Sequence, residues 1–271
     1  MSVRNSLVAF NGSEGALSAL RYAASLAGDT GHVTALLAHS THEVVDSHAA
    51  WVPTTAREII SQANADILAE IERRFDDVRD TLNLGQRLHF QRSSGRVDKV
   101  LSESARSFDL LLAGQDLAEQ VDAHVMLHPD RIALLSGRPI LMVPNSHENC
   151  AHDHVVVAWD GGRAAARALS DSLALLGRQS RVTVLTVDKT DLRASAADVV
   201  RHLERHSTSA THEQIAAEPG IARAILAFCQ EQGADLLVMG AYEHSKFRED
   251  FLGGVTARVL RNAAVPVLLS H

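Results

Sequence analysis

Cysteine, aromatic residues and long apolar runs are all scarce in this chain. Cys150 and Cys229 are its two cysteines in 271 residues, too few for the disulfide framework that staples small secreted domains. Phe, Trp and Tyr make up 4% of the residues, so the core is expected to be built from Leu, Val, Ile and Ala. No apolar run approaches the roughly 18 residues that a membrane span requires. The start, Met1-Ser2-Val3-Arg4-Asn5, lacks a charged leader, a signal-type apolar stretch and a small-residue cleavage site. These absences lead us to expect a cytoplasmic protein with no membrane partner. Excess positive charge is missing too. A formal net charge of −7, a pI near 6.1 and the lack of any Lys/Arg block argue against a nucleic-acid surface.

Complete catalytic motifs are also lacking. Gly12-Ser13-Glu14-Gly15 follows a strand but does not have the Gly-x-Ser-x-Gly spacing of a nucleophile elbow, and Ser13 reads better as a helix N-cap. His147, Cys150, His152 and His154 are suitable metal-ligand types, but their spacing matches no zinc pattern and they sit in a linker, so no metal site is assigned. His39, His42 and His48 follow the second strand and His124 and His128 the fourth; they read as solvated loop histidines or as groups that converge on a pocket. Cys229, flanked by apolar residues, reads as core.

What the chain does contain is a long internal repeat. Asp109-Leu110-Leu111-Leu112-Ala113-Gly114 returns 126 residues later as Asp235-Leu236-Leu237-Val238-Met239-Gly240. The Pro-led strands Pro139 to Val143 and Pro266 to Leu269 follow, 127 residues apart. Val8-Ala9-Phe10-Asn11-Gly12 aligns with Val157-Ala158-Trp159-Asp160-Gly161 at an offset of 149. A period this long marks a duplicated domain rather than a solenoid unit. We place the domains at residues 1–146 and 152–271, with extra length in the first around His42 to Pro53.

Each half alternates apolar strands with helical patterns. Ala16, Leu17, Leu20, Ala23, Ala24 and Ala27 share one helix face, and Ile60, Ala63, Ile67, Ile71, Phe75 and Val78 mark a long amphipathic helix between Ile59 and Leu82. Such alternation implies βαβ units, right-handed crossovers and a parallel sheet covered on both faces: an α/β fold. In doubly wound sheets ligands bind beyond the carboxyl ends of the strands where strand order reverses. In the second half that location holds Trp159-Asp160-Gly161-Gly162, the segment from Gly240 to Lys246, and Gly253-Gly254-Val255-Thr256 at a helix start able to hold an anion.

On Asp160, the Asp235 to Gly240 strand, His244-Ser245, Gly253-Gly254-Val255-Thr256 and the closing Val265-Pro266-Val267-Leu268, the second half resembles a universal stress protein domain, and the whole chain resembles the tandem form of that family. The resemblance implies two Rossmann-like domains, each a roughly five-stranded parallel sheet with helices on both faces. It implies a stress-response regulator or adaptor that binds nucleotide in its second half, with ATP and Mg²⁺ as the ligand. Asp160 and Val187 would take base and ribose, and Gly240, Gly253, Gly254 and Thr256 the phosphates. The family's Gly-x2-Gly-x9-Gly-Ser/Thr pattern is altered: Glu243 takes the middle glycine's place and Gly254 that of the Ser/Thr. A carboxylate at Glu243 repels polyphosphate unless a metal ion intervenes, and the hydroxyl donor is lost. In the first half Asn11 stands where Asp160 stands and no glycine pair follows the fourth strand, so its role is expected to be structural, or it accommodates a different ligand. The alternative reading is a slow ATPase or nucleotide-dependent enzyme using the same pocket. Family members pair through their last strands, so an intrachain pseudo-dimer, a further homodimer and protein partners of unknown identity are also implied.

Overall fold

The structure, a computed structural model, describes residues 3–40, 53–115, 124–145, 147, 150–177, 179–188, 190–241 and 254–271. The first half runs β1 (Asn5–Ala9), α1 (Glu14–Ala27), β2 (His32–His39), α2 (Thr54–Arg79), β3 (Leu88–Ser94), α3 (Val97–Ala105), β4 (Leu110–Gly114), α4 (Pro129–Ser136) and β5 (Ile140–Val143). The second runs β6 (His154–Ala158), α5 (Arg163–Ser172), β7 (Arg181–Val187), α6 (Arg193–Arg205), β8 (Ser209–Ile215), α7 (Ile221–Glu231), β9 (Leu236–Gly240), α8 (Val255–Asn262) and β10 (Val267–Ser270). The extra length of the first half lies partly in α2, 26 residues against 13 in α6. The rest of the expected insertion falls on residues 41–52, outside the described residues.

The ten strands form one sheet in the order β3-β2-β1-β4-β5-β10-β9-β6-β7-β8. Every neighbouring pair is parallel except β5 with β10, which are antiparallel. The closing strands therefore meet each other within the chain, Leu141 opposite Leu268, Ile140 opposite Leu269 and Met142 opposite Val267. Neither is left as an open edge. The two outer edges, β3 and β8, instead carry His89, Gln91, Arg92, His212, Glu213 and Gln214, the polar character that discourages pairing with another chain.

Both faces of the sheet are covered, so successive strand residues enter different cores. Leu110 and Leu112 pack in one cluster with Leu17 and Leu20 of α1, Phe75 of α2, Leu169 of α5 and Leu203 of α6. Leu111 and Ala113 pack in the other with Leu101 of α3, Ile132 of α4, Ile225 of α7 and Val259 of α8. Each cluster contains residues of both halves, so the cores continue across the central strand pair. Among the described residues no helix is long and apolar enough to cross a membrane.

The two ends of the repeated strand are fixed by local chemistry. At its start, Asp109 Oδ2 accepts the backbone N–H groups of Arg4 (2.9 Å) and Asn5 (3.0 Å), and Asp235 Oδ2 accepts that of His154 (2.8 Å). Each carboxylate ties β4 or β9 to the first strand of its half. At the other end, a Cβ on Gly114 would lie 2.1 Å from the Gly15 carbonyl carbon, and one on Gly240 would lie 2.5 Å from the Ala165 nitrogen. Helices α1 and α5 ride directly on these glycines.

Polar contacts also cross between the halves. Gln115 Nε2 donates to the Leu260 carbonyl at 2.7 Å and so caps a C-terminal turn of α8 from the end of β4. His152 of the linker makes another such contact. His152 Nδ1 lies 3.0 Å from the Leu175 carbonyl, which can only accept, so neutral His152 presents Nε2 as acceptor to the buried Tyr22 hydroxyl of α1 at 2.6 Å. His154 is satisfied likewise, Nδ1 to the Gln232 carbonyl and Nε2 to Thr183 Oγ1 at 2.9 Å. Burial lowers the pKa of both below the ordinary histidine value.

Two predictions follow from this packing. Leu268→Ala opens a hole in the core that Leu141 and Leu268 share across the central pair and should cost about 2–5 kcal/mol; combined with Leu141→Ala, the loss in urea unfolding should depart from additivity because the two residues are register partners. Independent effects that sum would contradict that coupling. For pH, His152 and His154 fold with depressed pKa values, so their contribution is full above about pH 6.5, the unfolded value, and is lost as pH falls below it. The urea midpoint should decline from about pH 7 to 5, and His152→Gln should flatten the decline; a midpoint constant over that range would refute the assignment.

Candidate functional site

The sheet reverses its strand order between β6 and β9, where Ala158 pairs with Met239 on one side and with Leu185 on the other. Just beyond, Trp159 donates its backbone N–H to the Leu185 carbonyl at 2.8 Å and its indole N–H to Ser195 Oγ at 3.0 Å, locking the chain before it turns. Asp160 follows, half-buried. Its Oδ1 accepts the Gly162 backbone N–H at 2.9 Å. Gly161 takes φ +80°, the left-handed conformation glycine tolerates best. Gly162 is the N-cap of α5 and has no side chain to satisfy that helix, so Asp160 supplies the acceptor from two residues upstream.

Asn11 performs the equivalent turn in the first half. Its Oδ1 accepts the Ser13 backbone N–H at 3.1 Å and the Ser13 hydroxyl at 2.7 Å. Ser13 in turn accepts from Ala16 N at 3.0 Å as the N-cap of α1, as its position in the sequence led us to expect. This turn lies under α2: Arg74 donates to the Gly12 carbonyl at 2.9 Å, and a Cβ on Gly12 would touch Ile71 at 3.0 Å.

The remaining expected site residues fall in distinct settings. Val187 ends β7, half-buried and paired with Ile215. Gly240 ends β9, where the backbone of α5 accounts for its lack of a side chain. Gly254 is the exposed N-cap of α8, with no side-chain cap, no acidic residue in the first turn and open space where a Cβ would stand. Thr256 is buried with Val259 on the inner face of that helix. Gly253, Glu243, His244, Ser245 and Lys246 lie outside the described residues. Asp160 thus follows β6 on one side of the strand-order reversal, and on the other side α8 follows β9 with no side-chain cap at its N-terminus among the described residues.

The histidines of the first half separate into two groups. His39 ends β2 and accepts from Arg92 Nε at 3.2 Å; burial, then Arg92, then His124 lower its pKa. His124 reaches the same place through Ser40, whose backbone N–H donates to the His124 carbonyl at 2.8 Å. His128 instead turns to Asp98 of α3, which accepts its backbone N–H at 2.9 Å and lies 3.0 Å from its Nδ1. Asp98 went unnoticed in the sequence because an Asp in a first helical turn is common there for dipole reasons alone. His42 and His48 lie outside the described residues. Among the described residues no group of three or more His, Cys, Asp or Glu is placed to hold a metal ion. Cys229 is buried in the core, which pushes its thiol up to about 12, and the closing His271 binds the Ala241 carbonyl through Nδ1 at 2.9 Å.

Comparisons with known proteins agree with this architecture. A family model described as the Universal stress protein family matches residues 152–271. A universal stress protein of Synechocystis sp. is 25% identical, over 98% of this chain and 99% of that protein. Among solved structures, one of a universal stress protein from Archaeoglobus fulgidus has a TM-score of 0.70 at 15% identity, covering 98% of this chain and 97% of its own. Another, of a functionally unknown protein from Pseudomonas aeruginosa, has a TM-score of 0.60 at 15% identity and covers 99% and 92%. At these identities the structures speak to the fold.

The dual setting of Gly240 gives a test that needs no ligand. Gly240→Ala forces α5 away from β9 and should lower stability by about 1–3 kcal/mol in denaturant unfolding, as Gly114→Ala should against α1. Wild-type stability in Gly240→Ala would mean that the helix does not rest on this residue.

Proposed function

We propose that this chain, whose residues 152–271 match the Universal stress protein family, is a tandem member of that family, a stress-response regulator or adaptor that binds a nucleotide in its second half. The observation that supports the proposal is that Asp160 follows β6 and that α8, which follows β9 across the strand-order reversal, has no side-chain cap at its N-terminus among the described residues. A helix N-terminus offers a partial positive charge and free amide donors, the combination that holds a phosphate. At Gly254 there is space for one, since among the described residues nothing stands within 4 Å of the missing Cβ.

ATP with Mg²⁺ is the ligand proposed. The amides that open α8 at Gly254 to Thr256 would take phosphate oxygens, with Gly240 and Gly253 flanking them. Asp160 and Val187 would take the ribose and base from the ends of β6 and β7. The bound metal ion would neutralise phosphate charge, which the neighbouring Glu243 of the sequence makes necessary. Asp160 is suited to binding rather than to proton transfer, because one of its oxygens already serves the start of α5. The first half would take a structural part: Arg74 and Ile71 of α2 occupy the turn that corresponds to the Asp160 turn.

Isothermal titration of nucleotide-stripped protein with ATP and Mg²⁺ tests this reading. Saturable binding should weaken at least about tenfold in Asp160→Ala, the loss expected when a hydrogen bond to a charged group is removed. Asp160→Asn should keep wild-type stability, since Asn11 makes the same turn in the first half, and so separates folding from binding. Absence of heat, or equal affinity in Asp160→Ala, would reject the site; steady release of ADP would favour a slow ATPase instead.

A further inference from the structure

The two halves differ where the helices on one face of the sheet pack side by side, α3 with α4 and α7 with α8. In the first half, Asp98 is the second residue of α3 and closes that interface with an internal anion. Its carboxylate accepts the His128 backbone N–H at the start of α4 and also lies 3.7 Å from the Arg131 guanidinium. In the second half the second residue of α7 is Ala222, and Gly254 stands before α8 where His128 stands before α4. The interface there is open. A cavity of about 560 Å³ lies between α7 and α8, with Pro219, Gly220, Ala222 and Leu226 on one side and the guanidinium-bearing Arg223 and Arg258 beside them.

Among the described residues the lining of this cavity carries two arginines and no carboxylate. Among the described residues neither Arg223 nor Arg258 has a carboxylate within ion-pair distance, whereas Arg73, Arg74, Arg79, Arg92, Arg131 and Arg201 all do. The start of α7 adds to it, because Gly220 has no side chain to cap the helix and its first turn holds no acidic residue. Two arginines thus line one opening in a chain of net charge −7.

We propose that the α7–α8 cavity binds the phosphoryl group of a small phosphate-bearing ligand, held by Arg223 and Arg258. A phosphoryl group suits the cavity better than a carboxylate. Its oxygens accept from both planar forks and from the α7 amides together, and its higher charge matches two cations. The volume falls within the range of small-molecule sites, leaving room for an organic body against Pro219 and Leu226. Asp160, Val187, Gly240, Gly254 and Thr256 do not line it, so this assignment stands apart from the nucleotide reading.

The test is a ¹H–¹⁵N NMR titration of the full chain with inorganic phosphate, ribose 5-phosphate and, as a carboxylate control, succinate. Saturable shifts of the Ala222 and Arg223 amides and the Arg258 Nε–H are expected with the two phosphates. Arg223→Ala and Arg258→Ala, both exposed, should each weaken binding at least about tenfold, and Arg205→Ala, which removes a positive charge elsewhere on the surface, should not. Ala222→Asp, which supplies the carboxylate that Asp98 supplies in the first half, should abolish binding. Tighter binding of ribose 5-phosphate would identify an organic phosphate and equal binding free phosphate; either upholds the site. Shifts that do not saturate, that survive both arginine substitutions, or that succinate reproduces would overturn it.

Discussion

The rest of the structure depends on the antiparallel pairing of β5 with β10. A parallel five-stranded sheet closes with an exposed edge of backbone donors and acceptors, and Ile140 to Val143 and Val267 to Leu269 are apolar segments of the kind that aggregate when left open. Pairing them satisfies both edges at once. It also runs one apolar core beneath the whole sheet and another above it, because Leu141 and Leu268 enter one cluster and Ile140 and Leu269 the other. The outermost strands left over are polar. The halves share their cores, so a change at the seam is felt by both.

Within each half the repeated motif does structural work at its two ends. The aspartate binds the N–H groups of the neighbouring first strand, and the glycine lets a helix lie on the sheet. Both requirements are imposed by the α/β architecture before any ligand is considered. Gly240 therefore has a sufficient explanation in packing, and the weight of the ligand argument shifts to Asp160 and the start of α8. There Asp160 turns the chain at the end of β6, and the start of α8 has no side-chain cap among the described residues.

The halves use one framework with different fillings. In the first, Asn11 with Ser13, Arg74 and Ile71 occupy the strand-end turn, and Asp98 occupies the interface of α3 and α4. In the second, the corresponding places hold a carboxylate beside glycines and an opening edged by arginines. An internal side chain that satisfies a helix terminus removes the reason for a ligand to bind there, and its absence restores that reason. The asymmetry is consistent with a first half that supports and a second half that binds.

Period and composition alone determined the duplication, the alternation of strands and helices, and the parallel order of each sheet, because apolar periodicity follows directly from the 3.6-residue and two-residue repeats of backbone geometry. The boundaries were legible to within a few residues: the strand read near Arg87 to Gln91 runs Leu88–Ser94, its end hidden because polar edge residues look like loop. Site residues at strand ends could also be named, since ligand location in a doubly wound sheet is a property of topology. Tertiary structure decided what those residues do. Whether Gly240 serves a phosphate or a helix depends on how closely α5 approaches, and whether His152 meets a metal or Tyr22 depends on where α1 lies. The same holds for Asp98, Arg223 and Arg258, whose significance comes from contacts between elements distant in the chain. Such contacts leave no periodic trace in the sequence, and only the packed helices bring these charges together or leave them unpaired.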